Sequence, residues 1–518
     1  MPSVETMLVQ SSTARSTTIL EQAASKNDHW LLQLMQKPTS VTTNRQAEFV
    51  SARTVGDALV AWFGELPDFT EPQQIARRLN AAVAQIDALA EGMMNEILHH
   101  PALQKLEASW RGLKSLVERV PDGTNIKIRV LQATWNELVK DQERALEFDQ
   151  SALFRKVYGD EFDTPGGTPY GLLLADYAIC HRPLPGHPTD DIFALGGLSN
   201  VAAAAFAPLV CGVDPRFFEI DHFNDLDPGI NLDQSLRGLA YTKWNAFRTT
   251  EDSRFVGLVL PQVVMRAPYG DEPTGTNSFQ FRERIGRNPN DTLWGNGVYA
   301  FGAVAIRAFA QSAWLADVRG TRQAGGVGGE VDGFPEISLP SPHRQVLMPV
   351  VNVMLTDRQE KELAELGFLP LCHRPGTNTA AFYSVPSTQR AKQYDDDAAT
   401  ANARLATQLP YILCVSRMAH YVKVIARDRI GQFTTADDCR EHLERWLQRY
   451  VVTNDAASYE MKAKYPLRDA RVDVQEVLGK PGSYRCAIHL RPHFQLDRLS
   501  ASIRFSTQLN TARSETSL

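Results

Sequence analysis

Residues 393–431 read QYDDDAATANARLATQLPYILCVSRMAHYVKVIARDRIG, and the division of the chain turns on them. The acidic triplet Asp395, Asp396 and Asp397 is a helix start, the pattern behind it is amphipathic, and Gly431 stands where a helix C-cap is expected. Pro410 interrupts the pattern. An interior proline costs ~3 kcal/mol, so the helix kinks there or restarts at Tyr411. In the second piece Ile412, Val415, Ala419, Val422 and Ala426 form an apolar face, while Arg417, His420, Lys423 and Arg427 recur every three or four residues on another side. That basic set reads either as a solvated face or as a positive stripe offered to an acidic protein surface. Beyond it a second helix, Ala436–Val451, and two alternating strands, Tyr484–Leu490 and Leu499–Leu509, make a helix-helix-strand-strand tail, a small α+β domain.

Upstream the pattern is mixed. Residues 1–70 open with a segment rich in Ser, Thr, Gln and Asn, in which Trp30, Leu31, Leu32, Leu34 and Met35 form one apolar island. This reads as a flexible arm, or as an arm with a docking helix. From Glu71, apolar residues at Ile75, Leu79, Val83, Ile86, Leu89 and Met93 predict a helix of about five turns. A second helical pattern runs to Val117, with Pro101 marking a boundary. Ile126–Val130 alternates as a half-exposed strand does, and Leu172–Ala175 looks like a buried strand. Gly325–Gly329 reads as a mobile linker, and residues 345–390 as strand, helix (Asp357–Leu366) and strand.

Composition narrows the function. At 518 residues the chain is too long for one core. A net charge of −6 and a pI near 6.1 leave no basic footprint for nucleic acid. Six cysteines without a CxxC pair suit buried thiols in a reducing compartment. The N-terminus lacks a secretory pattern, and the longest apolar run, Val201–Val213, contains Pro208 and is too short for a bilayer. A cytoplasmic protein without membrane insertion is the expectation.

Chemical motifs are sparse. There is no GxxxxGK[ST] phosphate loop, no HExxH and no GxSxG. The best metal-like set, Cys486, His489 and His493, is divided by strand alternation. His99 and His100 have no partner carboxylate at a telling spacing, and Cys372 and His373 point apart on a strand. The expectation is therefore no catalytic residue, no metal, no cofactor, and a role in contact rather than turnover.

Long stretches then carry a family resemblance: ILHHPALQKLEASWRGLKSLV (97–117), EFDQSALFRKVYGDEFDTPGGTPYGLLLADY (147–177), APYG (267–270), LWGNGVYAF (293–301), RAFAQSAW (307–314) and TDRQEKELAELGFLPLCH (356–373). They continue as YDDDAATANARL (394–405), VSRMAHYVKVIARDRIG (415–431), KYPLRDARVDV (464–474) and LRPHFQLD (490–497). The chain resembles the large subunit of the type VI secretion contractile sheath, the TssC, VipB or EvpB family. The resemblance implies a non-enzymatic structural protein of a Gram-negative cytoplasm. It implies pairing with the small sheath subunit (TssB or VipA) and helical polymerisation with neighbouring protomers around the Hcp tube. It also implies connection to a baseplate, and dismantling by the ClpV unfoldase. It divides the chain into an arm (1–70), a large mixed sheath domain (71–392), a gp25-like domain (393–509) and a tail (510–518). It makes Arg417, His420, Lys423 and Arg427 candidates for facing the tube. The first 70 residues depart from the family's usual opening, a short amphipathic helix that engages the unfoldase, so Trp30, Leu31, Leu34 and Met35 are the candidate replacement. Strand exchange between protomers would tether neighbours while their side-chain interfaces repack. The rival readings are a divergent paralogue in a sheath-like or baseplate assembly, and a cytoplasmic hydrolase resting on isolated His and Cys residues.

Overall fold

A computed structural model of the chain describes residues 43–63, 72–226, 229–270, 279–285, 291–321, 328–339, 346–428, 436–454, 457–476, 484–493 and 503–509. The island at Trp30, Leu31, Leu34 and Met35, the Gly431 cap and the 510–518 tail lie outside these residues. Two compact units are present, residues 1–90 and 91–518.

In the first unit, α1 (Thr43–Ser51) and α2 (Val55–Phe63) form a small pair. The rings of Phe49 and Trp62 meet edge-on, 5.3 Å between centroids. Thr54 starts α2 by accepting from the main-chain N–H of Asp57 at 3.1 Å. Helix α3 (Pro72–Leu98) is 27 residues long, longer than the five turns expected.

In the second unit, α4 (Pro101–Glu118) begins at the expected proline, and His100 caps it by accepting from the Ala102 N–H. Thr134 and Glu137 form a reciprocal capping box at α5 (Trp135–Arg144). A mixed sheet follows: β1 (Leu173–Ile179), α6 (Asp191–Ala204), β2 (Leu209–Val213), β3 (Val256–Leu260), α7 (Val298–Ser312), β4 (Glu330–Val331), α8 (Asp357–Glu365), β5 (Leu369–His373) and β6 (Ala380–Phe382). The strand order is β1-β2-β3-β5-β6-β4. The first four are parallel neighbours, and β6 runs antiparallel to both β5 and β4.

The central strands are apolar on both faces, as a sheet covered on both sides requires. Leu209, Cys211, Val213, Val256, Leu258 and Leu260 face an aromatic core with Phe217, Trp244 and Phe368. Val210 and Val259 face the opposite core, against Phe301 and Val304 of α7.

The tail contains α9 (Asp397–Ala406), α10 (Leu409–Asp428), α11 (Ala436–Gln448), β7 (Leu467–Glu476), β8 (Tyr484–Pro492) and β9 (Ile503–Leu509). Asp396 caps α9 by accepting from the N–H groups of Ala398 and Ala399. Pro410 falls in the first turn of α10, where its missing N–H costs nothing, so the restart comes at Leu409 rather than Tyr411. The sheet β7-β8-β9 is antiparallel and carries one strand, β7, beyond the two expected.

Two upstream expectations change. Ile126–Val130 belongs to no ladder among the described residues. Part of the glycine linker lies outside the described residues, and its end is tied down: Gly329 donates to Gly320 O at 2.7 Å and accepts from Phe382 N at 3.0 Å.

Helices α4 and α7 approach closely at Gly112, where an added Cβ would lie 2.4 Å from the Tyr299 ring. Tyr299 is held by its hydroxyl on Asp176 at 2.8 Å, so the ring has little freedom to yield. Gly112→Ala is expected to cost about 1–3 kcal/mol by overpacking. The check is the denaturant midpoint of the variant against wild type.

Candidate functional site

The basic residues of α10 do not stand together on an open face. His420 is 3% exposed, and its Nε2 lies 2.9 Å from the carbonyl oxygen of Ala205, to which it donates. Lys423 sits 3.7 Å above the Phe162 ring and reaches Asp163 at 2.8 Å. Arg427 donates to the Thr164 carbonyl at 3.2 Å. Arg417 lies over the Tyr421 ring at 4.7 Å and donates to its hydroxyl. All four therefore turn toward the chain's own body, Arg417 lying also over the Phe309 ring at 5.5 Å. His420, Lys423 and Arg427 meet the π-helical stretch Arg155–Asp163, the turn behind it and the end of α6, where Phe154, Tyr158 and Phe162 stack in succession. Lys423 and Arg427 keep 26% and 27% of their side chains exposed.

Burial first, then the neighbouring charges of Arg417 and Lys423, push the His420 imidazole down to about 4, against the hydrogen bond to Ala205. The fold holds the neutral ring, while the unfolded chain takes up its proton near pH 6.5. The contribution is thus present above pH 6.5 and lost as pH falls toward 4. The unfolding free energy of wild type, from urea titrations, should drop over that window by on the order of 2 kcal/mol more than that of His420→Gln.

A cleft of about 600 Å³ opens at the carboxyl ends of β1, β2 and β3, where open α/β sheets commonly bind ligands. In its lining the Thr189 hydroxyl lies 3.3 Å from His187 Nε2, which faces Asp191 at 2.6 Å, and that hydroxyl donates to Asp191 at 2.7 Å. Ser109 and Tyr299 both donate to Asp176, so the serine hydroxyl faces a carboxylate rather than an imidazole. All six cysteines are free and buried. Burial raises all six thiols, those of Cys180, Cys211, Cys372, Cys414 and Cys486 to about 12, which keeps them from being thiolates. His99 Nε2 lies 3.2 Å from Glu283, which also pairs with buried Arg266, itself bonded to Glu107 at 2.8 Å. That carboxylate, far along the chain, is the partner the sequence could not supply, and it gives His99 a place in a structural network. His100 serves as a cap. Burial lowers the His373 imidazole, and Cys372 beside it is buried in the strand.

Two surfaces are left open. On α3, the residues whose spacing predicts the helix, Leu79, Val83, Ile86, Leu89 and Met93, are 39, 53, 47, 69 and 50% exposed. A continuous apolar stripe of this kind marks a contact site. Before α5, Ile128, Val130 and Leu131 are exposed on a stretch that joins no ladder among the described residues. The periodicity of both stretches was visible in the sequence, and so was the part exposure of the second; the exposure of the α3 stripe was not.

Among the described residues no helix is long and apolar enough to cross a membrane. The family described as EvpB/VC_A0108, tail sheath N-terminal domain, matches residues 80–389. The EvpB/VC_A0108 tail sheath gpW/gp25-like domain matches residues 398–509. The type VI secretion system sheath protein TssC1 of Pseudomonas aeruginosa is 36% identical over 442 residues, covering 84% of this chain and 87% of its own. Two solved structures are more distant. The baseplate of the anti-feeding prophage aligns at TM-score 0.30 and 11% identity, over 68% of this chain and 73% of the other. The contracted helical sheath of the same prophage aligns at TM-score 0.26 and 12% identity, over 55% and 58%. The two family matches follow one another along the chain and leave little of it uncovered, and the protein belongs to the EvpB/VC_A0108 tail sheath family, as a contractile sheath subunit.

Proposed function

We propose that this protein is the large structural, non-enzymatic subunit of a type VI secretion sheath. It pairs with a small sheath subunit of the TssB/VipA kind, polymerises with its neighbours around an Hcp tube in the cytoplasm, and drives the tube outward on contraction. The observation that carries the reading is the ordered match of both tail sheath domains over residues 80–389 and 398–509. The open surfaces support it. The α3 stripe suits an amphipathic partner helix, and the unladdered segment before α5 suits an added strand, since main-chain hydrogen bonds tether while side chains repack. The boundaries 71–392 and 393–509 remain our division of the chain into sheath and gp25-like domains. Attachment to a baseplate and recycling by ClpV through Trp30, Leu31, Leu34 and Met35 belong to the same proposal.

Co-expression with the small subunit should yield tubules by electron microscopy, and soluble monomers alone under several conditions would overturn the assignment. Deleting residues 1–70 tests the arm: tubules that form but fail to bind the unfoldase place docking there. Leu79→Glu with Ile86→Glu should leave the fold intact by circular dichroism and abolish co-purification of the small subunit. Retained co-purification would remove α3 from the interface. Lys423→Glu with Arg427→Glu separates two roles. A tube-facing role predicts an intact heterodimer with impaired assembly around the tube. The intrachain seam predicts a lowered thermal midpoint and little further loss, because a surface pair is worth about 0–1 kcal/mol.

A further inference from the structure

Just past β1, three metal-ligating side chains converge on one point. Cys180 follows the strand and is fully buried. The chain then makes a tight hairpin in which Leu184 and His187 exchange both main-chain hydrogen bonds at 2.8 Å, with Gly186 at φ +80° turning it. The hairpin lays His187 over the first turn of α6, whose first residue is the fully buried Asp191. The Cys180 sulfur, a ring nitrogen of His187 and a carboxylate oxygen of Asp191 all lie within 4.8 Å of one another.

The carboxylate is oriented from behind. Its Oδ1 accepts from Trp135 Nε1 at 2.6 Å and from the Thr189 hydroxyl at 2.7 Å. Its Oδ2 accepts from the Cys180 N–H at 2.8 Å and faces His187 Nε2 at 2.6 Å. Such outer hydrogen bonds fix the direction of a ligating group before a metal arrives. His187 also lines the cleft at the carboxyl end of the sheet, so the site has one open side. A sulfur, a nitrogen and one carboxylate form a donor set for zinc-like cations; magnesium and calcium take oxygen.

We propose that Cys180, His187 and Asp191 bind one zinc-type divalent cation, with a fourth position open to the cleft. Binding replaces the His187–Asp191 hydrogen bond with two metal–ligand bonds, the proton on His187 Nε2 passing to Nδ1 as the ring changes tautomer, and adds a third bond to the Cys180 sulfur, whose thiol proton goes to solvent. The cation would pin the 184–187 hairpin to the end of β1 and the start of α6. The site lies within one chain, so it needs no sheath partner. The spacing Cys-x6-His-x3-Asp matches no familiar pair, and only the hairpin brings the three together.

The test titrates the full-length, chelator-treated protein with cobalt(II) and then zinc(II). One equivalent of cobalt should bind with a near-ultraviolet thiolate-to-cobalt charge-transfer band that zinc abolishes. Cys180→Ser should remove the band, and His187→Gln, at a partly exposed hairpin position, should weaken cobalt binding roughly tenfold or more. Absence of the band in wild type, or a band unchanged in His187→Gln, overturns the proposal. The His187–Asp191 contact is then a hydrogen bond that holds the hairpin and nothing else. These two readings decide the matter even where Cys180→Ser fails to fold.

Discussion

The interaction on which the rest depends is the burial of the first two turns of α10 on every side. Leu409 to Ser416 are all buried. Leu409 and Leu413 enter the core between the sheet and α7, Ile412 enters the aromatic core on the sheet's other face, and Tyr411, Cys414, Val415 and Met418 enter the core of the tail. A helix apolar all round has nowhere to go but inside. Each such side chain is worth about 1.5–3 kcal/mol when fully buried. One segment thus joins three cores, and the tail cannot shift against the sheet without exposing all of them. Trp314 and Ala316, just past α7, reinforce the joint from the other side by packing into the tail's core.

This arrangement explains why the helix chosen from the sequence as the hinge of the chain's organisation has so little charge free for other tasks. Its later turns carry Lys423 and Arg427, but the aromatic ladder Phe154–Tyr158–Phe162 stands beside them. A cation over a ring gains about 0.5–2 kcal/mol, and more where water is excluded. Lys423 has both a ring and a carboxylate. The seam extends the joint beyond the apolar turns.

Much of the fold was legible because it is local. The acidic start at Asp396, the break at Pro410 and the helix boundary at Pro101 need only near neighbours. What was not legible depends on distance along the chain. His420 has helical spacing to Arg417 and Lys423, and spacing does not reveal that Ala205 lies against it. Ile126–Val130 alternates whether or not a partner strand is present. Leu467–Glu476 was missed because Arg468, Asp469, Arg471, Asp473 and Gln475 dilute its apolar alternation. The pairing of His99 with Glu283 spans 184 positions, and the Pro185-Gly186 turn signal says nothing of the convergence of Cys180, His187 and Asp191 that its hairpin produces.

The contrast between interior and periphery bears directly on how a sheath subunit works. Inside residues 91–518, three cores share one helix, and this favours movement of the unit as a body. The features left open, the apolar stripe of α3 and the segment before α5, are the kinds that form and reform between molecules. A contracting lattice must change its contacts without unfolding its subunits. Free energy released on contraction is then drawn from interfaces between rigid bodies, and main-chain pairing along an extended segment can persist while side-chain contacts exchange. A subunit whose three cores are tied to one helix meets the requirement that it not unfold.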